Sequence, residues 1–310
     1  MEAAVSVQNL SRRFGAVEAV RALSFDVAPG ELFGVVGPDG AGKTTTLRML
    51  AGVMRPTAGD ALLHGVSVAS DPEGVKTHIA YMSQRFGLYT DLTVEENLDF
   101  YADLYRVPRA ERPARYERLY RFSALGQFRD RLAGQLSGGM KQKLGLSCAL
   151  VHEPEILLLD EPTFGVDPIS RRDLWLIVHE MVAHGMTTIV STAYLDEAER
   201  CDRVALLYEG RLMALDTPAA LQRLAGPFIV KVRTARPRVA RDVLRGVREV
   251  RQAAVFGDDV HVVLDDPERD APVIDRALAG AGIPVLHEER AEPSLEDVFI
   301  TLVTRGGEHA

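Results

Sequence analysis

Residues 37–45 read GPDGAGKTT and follow a wholly apolar pentad, Leu32–Val36. No other stretch of the 310-residue chain constrains the fold as tightly. Gly37 to Thr44 fits G-x-x-x-x-G-K-[ST], a pattern that works where a buried strand runs into a tight turn that opens a helix. Here the strand is predicted at Leu32–Val36 and the helix at Lys43–Leu50. Gly37, Gly40 and Gly42 let backbone N–H groups converge on anionic oxygens. The helix N-terminus adds its positive dipole end. The chemistry that fits is a nucleotide's phosphate chain, with Lys43 reaching the β and γ phosphates and the Thr44 hydroxyl on Mg²⁺. Thr45 reads as a further phosphate contact or as an ordinary helical residue.

A second signal lies far along the chain. ILLLDEP, residues 156–162, buries four apolar residues and then releases two acids. In an open parallel sheet, ligands bind at that carboxyl edge. Asp160 reads as the residue that orients Mg²⁺, directly or through water, and Glu161 as the base that polarises an attacking water. Taken alone, the pair reads equally well as a solvated turn; beside the phosphate loop, the catalytic reading is preferred.

The rest of the pattern is α/β. Val5–Leu10, Ala22–Val27, His78–Met82 and Thr187–Val190 read as strands, and Pro168 opens a helix. Between Asp91 and about Leu132 the pattern is helical, an insertion in the α/β frame. Near Gly226 it restarts. Strands are predicted at Phe228–Thr234, Val250–Phe256, Val260–Leu264 and Ile283–Leu286, with helices around Val239–Val247 and Ile274–Leu278. The order β-α-β-β-α-β is the ferredoxin-like arrangement. Ser294–Asp297 resembles a capping box that opens a terminal helix.

Composition limits the function classes. The net charge of -8 argues against a nucleic-acid binder. Cys148 and Cys201 lack metal-type spacing and read as buried thiols in a reducing compartment. No segment approaches the roughly 18 apolar residues of a bilayer span. Met1–Ala4 has no basic, apolar leader, so the sequence reads as cytosolic, and any membrane role comes through a partner.

LSGGMKQK, residues 136–143, narrows a nucleoside triphosphatase to one kind. With it, residues 1 to about 225 resemble the ATP-binding subunits of ABC transporters. The implied fold is a phosphate-loop ATPase domain with a helical subdomain at about 85–135, followed by the small α+β domain from 226 to 310. Ser137, Gly138 and Gly139 stand at a helix N-terminus, a second anion site. In the family that site closes on ATP held by a partner subunit, so the resemblance implies a homodimer or heterodimer of cassettes. It further implies an integral membrane permease and a place on the inner face of the cell membrane. Phe14 resembles the aromatic residue that stacks on adenine; a core position is its alternative reading. Gln84 resembles the glutamine that touches Mg²⁺ and leads into the helical subdomain, and Asp167, in GVDP, the acid that communicates across the dimer. Arg85–Tyr89 and Glu95–Glu96 read as residues of the groove that receives a helix from the permease. The wording DEPTFGVDP and YLDEAERC resembles the multidrug-export branch.

The chain departs from the family at two positions. Asp39 stands where an asparagine is common, and a carboxylate near triphosphate is unfavourable unless it faces donors. Ala193, in STAYLDEAER, stands where the family places a histidine on the γ-phosphate. Full catalysis with Lys43, Gln84 and Glu161 is one reading, and a slow site that completes a competent one on another subunit is the second. A soluble ABC protein without a transport role is the third; one set of motifs, no sustained heptad run and the acidic balance place it behind.

Overall fold

The computed structural model describes residues 2–84, 87–226, 228–264 and 266–307. The chain divides into two compact units, Met1–Met213 and Ala214–Ala310.

In the first unit, strands β1 (Val5–Phe14), β2 (Val17–Val27), β4 (Ala58–Leu63) and β5 (Val66–Ser67) form an antiparallel sheet in the order β2-β1-β4-β5. β3 (Leu32–Val36), β6 (Ile79–Met82), β7 (Ile156–Asp160), β8 (Thr187–Thr192), β9 (Arg203–Tyr208) and β10 (Arg211–Asp216) form a second sheet in the order β10-β9-β3-β8-β7-β6. The pairs β9·β3, β3·β8, β8·β7 and β7·β6 are parallel. Every residue of β3, β7 and β8 is buried, as expected of strands covered on both faces. That is why β3 and residues 156–159 of β7 read as unbroken apolar runs rather than as alternation, while β8 buries hydroxyls of Thr187, Thr188, Ser191 and Thr192 beside Ile189 and Val190.

Register sets the site. Val36 pairs with Thr192, and Asp160 pairs with Ser191. The carboxyl ends of β3, β7 and β8 therefore finish level along one edge. Helix α1 (Lys43–Leu50) starts at that edge and packs against β7 and β8. The remaining helices are α2 (Pro72–Lys76), α3 (Val94–Leu104), α4 (Arg112–Ser123), α5 (Gly138–Leu150), α6 (Pro168–Ala183) and α7 (Leu195–Ala198). α3 and α4 both pack on α5, so the helical stretch expected between Asp91 and Leu132 folds onto the helix that the LSGGM segment opens. Thr93 and Glu96 close a capping box on α3, which gives Glu96 a structural partner.

The second unit begins upstream of the restart expected at Gly226. Its first helix, α8 (Pro218–Gln222), packs against the last, α12 (Leu295–Gly307). Between them run β11 (Ile229–Arg233), α9 (Pro237–Arg245), β12 (Val250–Phe256), β13 (Asp259–Leu264), α10 (Pro267–Asp270), α11 (Pro272–Gly280) and β14 (His287–Ala291). The sheet is antiparallel in the order β12-β13-β11-β14, which is the ferredoxin-like order. Val230, Val232, Leu244, Val262, Ile274 and Leu278 fill its core.

One strand falls elsewhere than its apolar run. Ile283–Leu286 forms no strand; the fourth strand is His287–Ala291, an exposed and charged edge. Ile283 is buried in the core, and its N–H donates to the Leu278 carbonyl as α11 ends. Pro284 follows with no donor. Ladder bonding to β11 starts only when the Leu286 N–H reaches the Arg233 carbonyl at 2.8 Å. Charges on an edge strand block pairing with other chains, so polarity, not an apolar run, marks this one. The capping box at the start of α12 is present, with Ser294 and Asp297 bonded reciprocally.

Candidate nucleotide-binding site

The loop from Gly37 to Gly42 begins where β3 ends, and the Gly37 N–H donates to the Thr192 carbonyl of β8 at 3.3 Å. Two of its glycines admit no substitute. A Cβ at Gly37 would lie 2.2 Å from the Leu207 carbonyl oxygen. At Gly42 it would lie 2.5 Å from the Ala19 carbonyl, on a backbone with φ of 99°. Gly42 is also the cap of α1 and offers no side chain, so no side chain caps the first-turn N–H groups. An uncapped helix start behind a glycine loop is built to meet an anion.

An open cavity of about 720 Å³ lies over this helix start. Asp39, Gly40, Gly42, Lys43, Thr44, Thr45, Gln84 and Glu161 line it. Val17, Glu18, Ala19, Arg21, Phe164 and Glu209 also line it, and the sequence had not singled these out. Phe14 is not among the lining residues. It is 43% exposed at the β1–β2 turn, with the Arg12 guanidinium 4.7 Å over its ring, and its strand partner Val17 faces the cavity. Asp39 is exposed on the wall.

Lys43 is buried, and its ammonium has three oxygen partners. It donates to the carbonyls of Gly37 at 2.8 Å and Pro38 at 3.1 Å, and stands 3.1 Å from a Glu161 carboxylate oxygen. A buried cation needs such partners. The other Glu161 oxygen accepts from Gln84 Nε2 at 3.0 Å. Three residues from β6–α3, β7 and α1 thus meet at one point, although the sequence holds them far apart. Glu161 has a φ of 49°, a left-handed conformation uncommon outside glycine.

Asp160 is 1% exposed. Its Oδ1 accepts from the Thr44 hydroxyl at 2.9 Å and from the Ser191 hydroxyl at 2.8 Å, while Oδ2 accepts from the Tyr81 phenol at 3.2 Å. Burial, together with the adjacent Asp160 charge, pushes the Tyr81 phenol up to about 12, so Tyr81 stays a donor. Among the described residues no cluster of three His, Cys, Asp or Glu could hold a metal ion. The donor set here fits a Mg²⁺ that takes the Thr44 hydroxyl and the Gln84 side chain and fills its remaining positions with phosphate oxygens and water. Asp160, bonded to the Thr44 hydroxyl, would orient such an ion directly or through water.

Ser137 and Gly138 are exposed and outside the cavity. Ser137 caps α5 by accepting from the Met140 N–H at 3.3 Å. Gly139 is buried where α5 meets the start of α6, and a Cβ there would be 2.1 Å from Ser170 Oγ. Asp167 caps α6 by accepting from the Ile169 and Ser170 N–H groups. Hydrogen bonds from Ser170 hold its carboxyl below the ordinary range. The LSGGM segment and the GVDP segment are thus neighbours. Ala193 is exposed just past β8 and does not line the cavity. Tyr194, next to it, is stacked under Arg171 of α6 at 4.1 Å. Of the expected groove residues, Arg85 and Phe86 lie outside the described residues, Tyr89 packs at a tilt against the Phe100 ring, and Glu95 is on α3.

Residues 20–164 match the family model described as "ABC transporter". Nod factor export ATP-binding protein I of Burkholderia lata is 36% identical over 305 residues, covering 98% of each chain. The chain belongs to the ATP-binding proteins of ABC transporters. This cassette carries a second match at residues 217–303, to "ATP-binding protein DrrA1-3-like, C-terminal domain". The probable multidrug ABC transporter ATP-binding protein YbhF of Escherichia coli K12 is 43% identical over 312 residues. That alignment covers 99% of this ABC protein and 53% of YbhF, so the chain spans about half the length of that relative. A solved ATP-binding subunit of an ABC transporter superposes with a TM-score of 0.65 at 34% identity, over 72% of this chain and 93% of that one. A cassette solved as a dimer with ADP and Pi shares the fold, with a TM-score of 0.62 at 24% identity over 69% of this chain.

Proposed function

We propose that this cassette binds and hydrolyses MgATP and so powers a separate membrane permease that exports drugs or other hydrophobic compounds. The observation that carries the reading is the meeting of Lys43, Thr44, Gln84 and Glu161 at one cavity over the uncapped start of α1, with Asp160 buried behind it and bonded to Thr44. When bound, Mg²⁺ supplies charge neutralisation on the phosphate oxygens. The loop N–H groups and Lys43 hold the phosphate chain, and the phosphates take the place of Glu161 as the partner of the ammonium. Glu161, released from Lys43, accepts a proton from the attacking water, and Gln84 orients that carboxylate. Phe14 lies off the cavity wall, paired with the lining residue Val17, and would stack on the base from the rim. No helix among the described residues is long and apolar enough to cross a membrane. In this reading the chain sits on the cytoplasmic face of the cell membrane, through its permease.

A second cassette completes the site. Ser137 and Gly138 are exposed at the start of α5 and do not serve their own cavity, which suits a γ-phosphate held by the partner. Asp167, one helix start away, communicates across that interface. Ala193 adds a finer point. It presents only a methyl group, and Tyr194 is engaged with Arg171, so no side chain from this loop supplies the γ-phosphate contact. The cassette's own site therefore turns over slowly, and its Leu136–Met140 segment can complete a faster site in a heterodimer. The C-terminal unit acts in regulation or dimer contact.

The test is nucleotide turnover by the purified protein with and without Mg²⁺. Glu161→Gln should keep ATP binding and lose at least about 10²-fold in turnover, the scale of removing a general base. Copurification of a multi-span membrane protein tests the transport reading; a variant with undiminished turnover refutes the role of Glu161.

A further inference from the structure

Ser191 is where the two acids are tied together. β7 and β8 run parallel in a register that sets Ser191 beside Asp160. The Ser191 side chain is fully buried. Its hydroxyl donates to Asp160 Oδ1 at 2.8 Å. The Ser191 hydroxyl oxygen accepts from the Glu161 N–H at 3.1 Å, and the Ser191 carbonyl accepts from that N–H at 3.1 Å as well. One residue therefore bridges the carboxylate of the first acid and the backbone of the second.

Both acids need such a tether. Asp160 reaches Thr44 with the oxygen that Ser191 holds, so the Ser191 bond fixes which face of the carboxylate meets the Thr44 hydroxyl. Glu161 sits in a left-handed conformation that surrounding structure must over-determine. Its N–H, shared between two Ser191 acceptors, is the anchor. We propose that Ser191 is a positioning residue of the ATPase, one that sets the Asp160–Thr44 geometry for Mg²⁺ and the backbone pose of Glu161 for the attacking water. The inference rests on the MgATP reading given above.

Ser191→Ala and Ser191→Thr test it, with two readouts. The first is calorimetric ATP affinity titrated against free Mg²⁺, which needs no hydrolysis. The alanine variant should need about tenfold more Mg²⁺ for half-maximal tightening of ATP binding, the scale of losing a residue behind a metal ligand. Its affinity for ATP in EDTA should match the parent, and threonine should restore the Mg²⁺ dependence. The second readout is turnover, where alanine should lower kcat about tenfold or more with KM little changed. An alanine variant with the parent's Mg²⁺ dependence overturns the proposal. So does one that weakens ATP binding equally in EDTA, because that marks general damage to the fold. A parent that binds MgATP but never hydrolyses it refutes the ATPase reading and leaves the Mg²⁺ readout intact.

Discussion

At the scale of single residues, the site is a set of short-range dependencies around a buried lysine and a half-buried glutamate. Lys43 and Glu161 satisfy each other across 3.1 Å, and Gln84 holds the other Glu161 oxygen. On the proposed function, a phosphate that claimed Lys43 would free Glu161 at the same moment and so couple binding to the readiness of the base. On the same reading, Ala193 is the residue where a γ-phosphate contact is missing. One absent polar group on a developing charge typically costs about 10²–10³ in rate. Ala193→His should therefore raise the ATP turnover of the isolated cassette by about 10²-fold, measured at saturating MgATP. No change would show that Glu161 and Gln84 suffice alone.

At the scale of elements, packing between helix starts decides which substitutions are tolerated. Gly139 has no room for a side chain against Ser170, whose Oγ and Cβ would lie 2.1 and 2.3 Å from an added Cβ. Gly139→Ala must separate α5 from α6 and should destabilise the first unit by about 1–3 kcal/mol. The double variant with Ser170→Gly should recover most of that in denaturant melts, because the collision is local. The second unit holds α12 through polar contacts. Asp297 is buried, accepts from His261 on β13 at 2.8 Å and closes the cap with Ser294. Burial pushes its carboxyl up, but the hydrogen bonds from His261 and Ser294 outweigh it and hold it below its ordinary 3.8. A lowered folded value means the stabilisation is fully present above the ordinary value and lost as pH falls through the folded one. Asp297→Asn should cost about 1–3 kcal/mol near neutral pH, seen as faster hydrogen exchange in α12. The difference from the parent should vanish in acid below the folded carboxylate value. A difference that persists there would mean the carboxylate charge is not the cause.

At the scale of the whole molecule, the chain is two compact units, Met1–Met213 and Ala214–Ala310. On the proposed function, the Glu161→Gln variant should retain bound ATP, and with Mg²⁺ it should sediment as two copies if the chain pairs with itself. A monomer under those conditions means that a different cassette supplies the facing Ser137-type helix start. Local pattern was enough for much of this architecture. Leu32–Val36 and Lys43–Leu50 have the boundaries read from the residues, because a glycine turn between an apolar pentad and a helix leaves few alternatives. The β-α-β-β-α-β order was legible from periodicity. The charged edge strand His287–Ala291 was not, since its side chains face water and carry no apolar signal. By itself the sequence determined the family, the strand–turn–helix over residues 32–50 and the strand that ends at Asp160, all of which are contiguous stretches whose signal lies within a few residues. Tertiary structure alone decided that Ser191 and Tyr81 hold Asp160, that Gln84 and Lys43 share Glu161, and that Phe14 stays off the cavity wall. Those relations depend on the register of neighbouring strands and on where distant loops end, and hydrogen bonds act only over the last few ångströms that the fold itself closes.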